Sequence, residues 1–353
     1  MTKGIFIRLF NIAWKVIFVS ILLMLVTNGC SSDDDDDLVG NWIELSDYDG
    51  DARTGAVVFV INDKAYVGLG YDGVKRDSVK DFYAYSAANN EWSRIADFPG
   101  VGRNGAVAFG TSSKGYVGTG LDDYDNKLKD FYEYNPATNE WTPIADFGGS
   151  ARFGAVAFAI NDTGYVGTGY DGSALKDFWK YDPTSGLWTE ISSLPDGKRR
   201  EAVAFVIDDK GYVATGVDNG EYEDRFCVYN PETGKWSSLR DIADNSDDDY
   251  DDDYTNIVGN RKVAFSINGK GYIATGGQGT YGATAWEYDP TTDLWEEKTG
   301  LEATARIEAV GFAIGNMGFV TTGNNSSYYL DDLWGFEPDA EQVDLDKSLI
   351  VNP

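Results

Sequence analysis

Apolar residues in this chain come in short runs that end on turn-forming residues, and the stretch from Arg152 to Ile191 shows the unit. Gly154 to Ile160 is continuously apolar, which predicts a strand buried on both faces. Asn161-Asp162 predicts a turn. Gly164 to Gly169 predicts a second strand, with Tyr165 and Val166 as its packing residues. Tyr170-Asp171-Gly172 opens a loop. Asp177 to Tyr181 predicts a third strand, stopped by Asp182-Pro183. Thr184-Ser185-Gly186 turns the chain again, and Leu187 to Ile191 predicts a fourth strand carrying Trp188. Beyond the N-terminal leader no stretch carries the period of about 3.6 residues that marks a helix. The expected class is all-β.

The unit recurs. Fourth-strand tryptophans fall at Trp42, Trp92, Trp141, Trp188, Trp236 and Trp295, with spacings of 50, 49, 47, 48 and 59 residues. Second-strand aromatics fall at Tyr66, Tyr116, Tyr165, Tyr212, Tyr272 and Phe319. Third strands contain Phe82, Phe131, Phe178, Phe226, Trp286 and Leu333. Every element occurs six times. The ends are out of phase: Asn41 to Leu45 is a fourth strand with no first three before it, and the last repeat has no fourth. A ring of six sheets follows, closed when the N-terminal strand completes the last one, which leaves no unpaired blade at the seam.

These repeats resemble kelch repeats over residues 41–338, through a strand-two aromatic, a glycine closing that strand, and a later Tyr and Trp, as in Tyr165, Gly169, Tyr181 and Trp188. The resemblance implies a six-bladed β-propeller. The family's adjacent glycine pair is mostly Thr-Gly here (Thr119-Gly120, Thr168-Gly169, Thr215-Gly216, Thr322-Gly323), and the one true pair, Gly276-Gly277, sits one residue late.

Before the repeats, Lys3, Arg8 and Lys15 precede an apolar run of 11 residues, Val16 to Val26. That run is short for a permanent span and fits an export signal over residues 1–29. Thr27-Asn28-Gly29-Cys30 resembles the lipobox of bacterial lipoproteins, which implies cleavage before Cys30 and lipid on that cysteine, hence a membrane anchor without a spanning helix. The aspartate run in residues 30–40 cannot pack and reads as a tether. It also resembles the surface-export signal of Bacteroidota lipoproteins, implying the outer face of the outer membrane. Residues 339–353 read as a C-terminal tail.

Composition narrows the chemistry. A net charge of −29 opposes binding to nucleic acid, whose phosphates need Lys and Arg, and adsorption to anionic lipid. The chain has no histidine, which removes the usual general base and the commonest transition-metal ligand. Galactose oxidase shares the propeller type, but its copper site requires histidines, so that chemistry is excluded here. With Cys30 lipidated, Cys227 has no disulfide partner and reads as a buried apolar filler.

The loops joining strands two to three and four to one share one face of a propeller. That face carries a repeated arginine before strand one (Arg53, Arg103, Arg152, Arg199, Arg306, and Arg261 displaced by two) and an aspartate after strand two (Asp72, Asp122, Asp171, Asp218). These are candidate ligand-binding residues, suited to a carboxylate or sugar acid. The alternative is an Arg–Asp pair that locks the loops of each blade. Two blades replace Arg-x-Gly by Arg199-Arg200-Glu201 and Arg306-Ile307-Glu308, so Glu201 and Glu308 are candidate acid–base groups at the channel opening. They raise a resemblance to the kelch-type sialic-acid mutarotase, which implies Glu and Arg acting without a metal. The long connection Asp244 to Tyr254 reads as a solvated loop, or as a weak calcium site at Asp247, Asp249, Asp251 and Asp253, without EF-hand spacing.

Three functions follow as expectations. The first is a non-catalytic, monomeric surface module that binds glycan or protein and needs no cofactor. The second is a metal-independent carbohydrate enzyme using Glu201 or Glu308. The third is calcium-dependent adhesion.

Overall fold

A computed structural model describes residues 38–343 except 327. The leader, Cys30 and most of the acidic tether lie outside the described residues, as do residues 344–353 of the tail. Among the described residues there is no helix.

Six four-stranded antiparallel sheets form the body. In the third, the strands are Val156–Ile160, Thr163–Gly167, Phe178–Asp182 and Leu187–Ile191, in that order from the axis outward. The other blades repeat this plan. In the sixth, Val310–Ile314, Met317–Thr321 and Leu333–Glu337 are completed by Asn41–Glu44, which pairs antiparallel with the third strand in the register Trp42↔Phe336. The expected six-bladed propeller, closed by the N-terminal strand, is the observed fold. Residues 339–343 return to this seam, where the Val343 amide donates to Asn41 Oδ1 at 2.9 Å.

The innermost strands differ from the expectation of burial on both faces. Val156, Phe158 and Ile160 are buried, but Ala157 and Ala159 are half-buried and line the axial channel. The innermost strand has no further strand on its axial side, so alternate residues stay within reach of water. Between blades the core is aromatic. Phe158 stacks on Tyr165 at 5.2 Å, and Tyr165 meets Tyr229 of the next blade at 5.5 Å. Strand two carries glycine where the preceding blade presses in: a Cβ at Gly164 would lie 2.2 Å from the Phe109 ring. The close approach of the two blades therefore excludes any side chain at Gly164.

The Thr-Gly dipeptides take two successive left-handed conformations, with φ +59° and +94° at Thr168-Gly169. In blade five the equivalent pair is Thr275-Gly276, φ +57° and +66°, rather than the later Gly276-Gly277. A β-branched residue is strained there. The hydroxyls of Thr119, Thr168, Thr215, Thr275 and Thr322 are all buried without a hydrogen-bond partner.

The long loop between blades four and five is not simply solvated. Tyr254, Ile257 and Val258 are buried against blades four and five, and the Trp295 amide donates to the Tyr254 hydroxyl at 2.7 Å. Its exposed aspartates ride on that anchor. Cys227 is fully buried, and burial pushes its thiol up to about 11.

Candidate functional site

The repeated arginines are structural. Arg152 is buried, its Nη1 and Nη2 lie 2.7 and 2.8 Å from the two carboxylate oxygens of Asp177, and Nη1 also donates to the Thr168 carbonyl at 2.9 Å. The guanidinium packs over the Phe147 ring at 4.9 Å. Arg53 with Asp81, Arg103 with Asp130, and Arg306 with Asp332 repeat the bidentate pair. These four arginines take the alternative, an Arg–Asp pair within the blade, though with a later aspartate than the sequence suggested. In these four blades the guanidinium donors are spent internally, fastening the strained turn (Thr-Gly, or Leu69-Gly70 in the first blade) to the residue before strand three.

The expected aspartate partners are corrected. Asp72 accepts the amides of Val74 and Lys75, Asp122 those of Tyr124 and Asn126, and Asp171 that of Ser173, so each closes its own loop. Asp218 pairs in register with Glu221 in a short hairpin.

Two blades depart from the pattern. In blade four the carboxylate position before strand three is Arg225, and Arg199 reaches Glu223 only at 3.7 Å, leaving its Nε without a partner. In blade five Gly259 stands in the arginine position. There the Lys262 ammonium, three residues after Gly259, donates to the Thr275 carbonyl at 3.0 Å and the Asn256 carbonyl at 3.1 Å. Burial lowers that amine to about 8.

Burial raises the carboxyls of Asp81 and Asp177, but hydrogen bonds and charge from Arg53 and Arg152 outweigh it and hold both below the usual aspartate range. A depressed folded-state value means the unfolded chain binds protons first. The pairs contribute fully above the unfolded value of about 3.9, and the contribution is lost as pH falls through the lower folded values. The denaturant midpoint is expected to fall steeply below about pH 4, and an Asp177→Asn variant to show a shallower fall.

The site itself is a ring. One residue per blade, at the mouth of the channel, adopts φ between +53° and +62°: Gly55, Gly105, Gly154, Glu201, Arg261 and Glu308. Their backbones form a closed cycle. Gly105 donates to Gly55, Gly154 to Gly105, Glu201 to Gly154, Arg261 to Glu201, Glu308 to Arg261, and Gly55 to Glu308, at 2.7 to 3.1 Å. A Cβ at Gly105 would meet nothing closer than 3.6 Å, so conformation rather than space favours glycine there. Three blades nevertheless carry charged side chains at these positions, at a cost of about 1 kcal/mol or more each.

Those three side chains meet. Arg261 Nε lies 3.1 Å from Glu201 Oε2 and 3.2 Å from Glu308 Oε1, without hydrogen-bond alignment to either, and Nη2 donates to Glu201 Oε1 at 3.2 Å. Asn260 Nδ2 donates to Glu201, and Thr54 Oγ1 donates to Glu308 Oε2 at 2.8 Å. The side chains of Glu201, Arg261 and Glu308 remain 10, 37 and 30 % exposed. They edge a cavity of about 310 Å³ whose other side is glycine floor, Asn104, Leu121 and Phe153. Below it the channel continues through spaces of about 170 and 300 Å³ lined by all six inner strands.

Of the sequence candidates, Glu201, Glu308 and Arg261 come together on the cavity wall, and the others are not part of its lining. Arg261 is not a displaced member of the arginine series but the ring residue of its blade. Thr54, Asn260, Leu121 and Phe153 were not anticipated. Each stands on a strand-one approach or just after a Thr-Gly turn, and alignment of all six units on the ring position would have found them. The calcium candidates separate: Asp251 groups with Asp244 and Asp252, whose ligand atoms lie within 4.8 Å of one another, while Asp247, Asp249 and Asp253 do not join. Asp251 already accepts from the amides of Asn245 and Ser246 and the Ser246 hydroxyl, at 2.9 to 3.3 Å, and so serves the turn of its own loop.

A family model described as the KLHDC2/KLHL20/DRC7 Kelch-repeats domain matches residues 55–247, more than half of the 353-residue chain. Among solved structures, one titled "Structure of YjhT" superimposes with a TM-score of 0.68 at 17% identity, over 82% of this chain and 95% of that one, a likeness that concerns the fold alone. No curated protein matches the chain. Six in-phase blades, the closed ring and the matched model place this chain in the kelch-repeat family.

Proposed function

We propose that this propeller is a non-catalytic, monomeric binding module whose ligand, a glycan or a protein segment, sits in the mouth cavity against Glu201, Arg261 and Glu308. One observation carries the reading. Charged side chains occupy three ring positions whose backbone conformation favours glycine, and all three converge on one cavity. A small polar cluster facing an apolar wall is the composition of a recognition pocket. The test is a calorimetric screen of glycans and peptides on residues 38–353. Binding that weakens at least about tenfold in Arg261→Ala supports the site; unchanged binding removes it.

A second reading is a metal-independent carbohydrate enzyme. Its support is that two carboxylates approach the same guanidinium nitrogen, so an acid and a base could face one substrate. Turnover of a sugar that disappears in Glu201→Gln or Glu308→Gln while binding persists would favour it over the first.

The anchoring part of the proposal rests on residues outside the described region. Cleavage before Cys30 and lipid on its sulfur would tether the propeller through the aspartate run, on the outer face of an outer membrane. Cys30→Ala is expected to move the protein from the membrane to the soluble fraction, and protease added to intact cells is expected to remove the propeller. Calcium has no role in this reading: the thermal midpoint is expected to be the same in chelator and in added calcium.

A further inference from the structure

We infer that the mouth takes the end of a neutral oligosaccharide, whose chain leaves the cavity across Leu121 and Phe153 toward Tyr124. The inference rests on the binding reading above and names its ligand class.

The cavity is two-sided. Blades four to six supply Glu201, Arg261 and Glu308, which can accept from and donate to hydroxyls. Blades two and three supply Leu121 and Phe153, one carboxamide, Asn104, and no charged group on the cavity wall. A pyranose ring has the same division, with hydroxyls around its edge and a C–H face that packs on an aromatic ring. Phe153 is held edge-on by Tyr170 at 5.6 Å, and Arg200 covers the Tyr170 face at 4.8 Å, so the phenylalanine is a fixed platform.

The path outward follows the same loops. Every loop between strands two and three carries a tyrosine: Tyr71, Tyr124, Tyr170, Tyr222, Tyr281 and Tyr328. Tyr124 is three residues beyond Leu121 and is 86 % exposed. The exposed ones, Tyr124, Tyr281 and Tyr328, lie in three different loops, while Tyr71 packs against Tyr329 at 6.2 Å and Tyr170 against Phe153. A protein interface needs a contiguous desolvated centre, which such spacing does not supply. Isolated rings flanked by short polar side chains suit successive sugar units. The net charge of −29 repels anionic ligands at low salt and leaves a neutral glycan unaffected.

The test uses residues 38–353 and neutral gluco-, manno- and xylo-oligosaccharides from mono- to hexasaccharide, with a uronic-acid series and a peptide panel beside them. Affinity within one neutral series is expected to rise from mono- to trisaccharide. Tyr124→Ala should remove that gain, about fivefold, and leave the monosaccharide unchanged. Phe153→Ala should weaken every length about tenfold, and Phe153→Tyr should restore it. Equal affinity for mono- and trisaccharides, a gain that survives Tyr124→Ala, or tighter binding of the uronic acids would overturn the inference while leaving the mouth as a binding site. Peptide binding with no saccharide binding would also overturn it. Failure of the whole panel would remove the binding reading itself.

Discussion

Arg152→Ala is expected to destabilise the propeller by about 3–5 kcal/mol, read as a fall in the denaturant midpoint. The side chain is 1 % exposed and spans two interactions that fail together when it goes. Asp177 would keep a partly buried charge with only the Trp179 indole, at 2.9 Å, as a remaining side-chain donor. The Thr168 carbonyl, in a turn that is already strained, would lose its guanidinium donor. Arg152→Lys is expected to recover little, because a single ammonium cannot bond both carboxylate oxygens and the carbonyl in the guanidinium's flat geometry. Replacing both partners, Arg152→Met with Asp177→Leu, should cost less than Arg152→Ala alone, since no charge is left buried without its partner. A double variant as damaged as the single one would mean the pair is not the fastening element.

Trp42→Ala is the second large effect, expected at about 3–5 kcal/mol. Trp42 has no exposed surface, stacks on Phe336 at 4.6 Å, and donates from Nε1 to the Thr299 carbonyl at 2.8 Å. It belongs to the one strand that joins the two ends of the described chain. A cavity here loosens the seam as well as the local core, so protection of blade-six amides from hydrogen exchange should fall first. Trp188→Ala is the control. Its fourth strand completes an uninterrupted blade and the side chain is only half-buried, so the loss should be smaller and confined to that neighbourhood. Equal losses at both positions would deny the seam any special role.

How much of this was legible before the structure differs between scaffold and site. The count of blades and the closing strand followed from the tryptophan spacing and the phase mismatch, because each blade must bury the same aromatic set. Which carboxylate pairs with each arginine did not follow. Asp72 and its equivalents lie nearer in sequence, but the chain swings out after the Thr-Gly turn and returns, bringing Asp81, Asp130, Asp177 and Asp332 beside the turn carbonyl. A signal was present: each of these precedes strand three, and in blade five Gly259 and Thr284 replace both partners at once. Glu201 and Glu308 were legible as departures from Arg-x-Gly. Arg261 was misplaced because the long loop before it breaks the period, and only the backbone ring shows it to be their equivalent.

That ring also gives the ion cluster its meaning. The cluster sets one guanidinium between two partly exposed carboxylates, and the left-handed backbone beneath all three residues costs stability.

The decisive measurement is a triple variant, Glu201→Gly with Arg261→Gly and Glu308→Gly, which gives every blade the glycine that three already have. Its thermal midpoint and its binding to the neutral oligosaccharide panel are measured beside those of the unaltered propeller. The account predicts a midpoint equal to or above that of the parent and no detectable binding. A midpoint several degrees lower, with panel binding retained, would show that the three side chains hold the ring together and that the ligand site lies elsewhere.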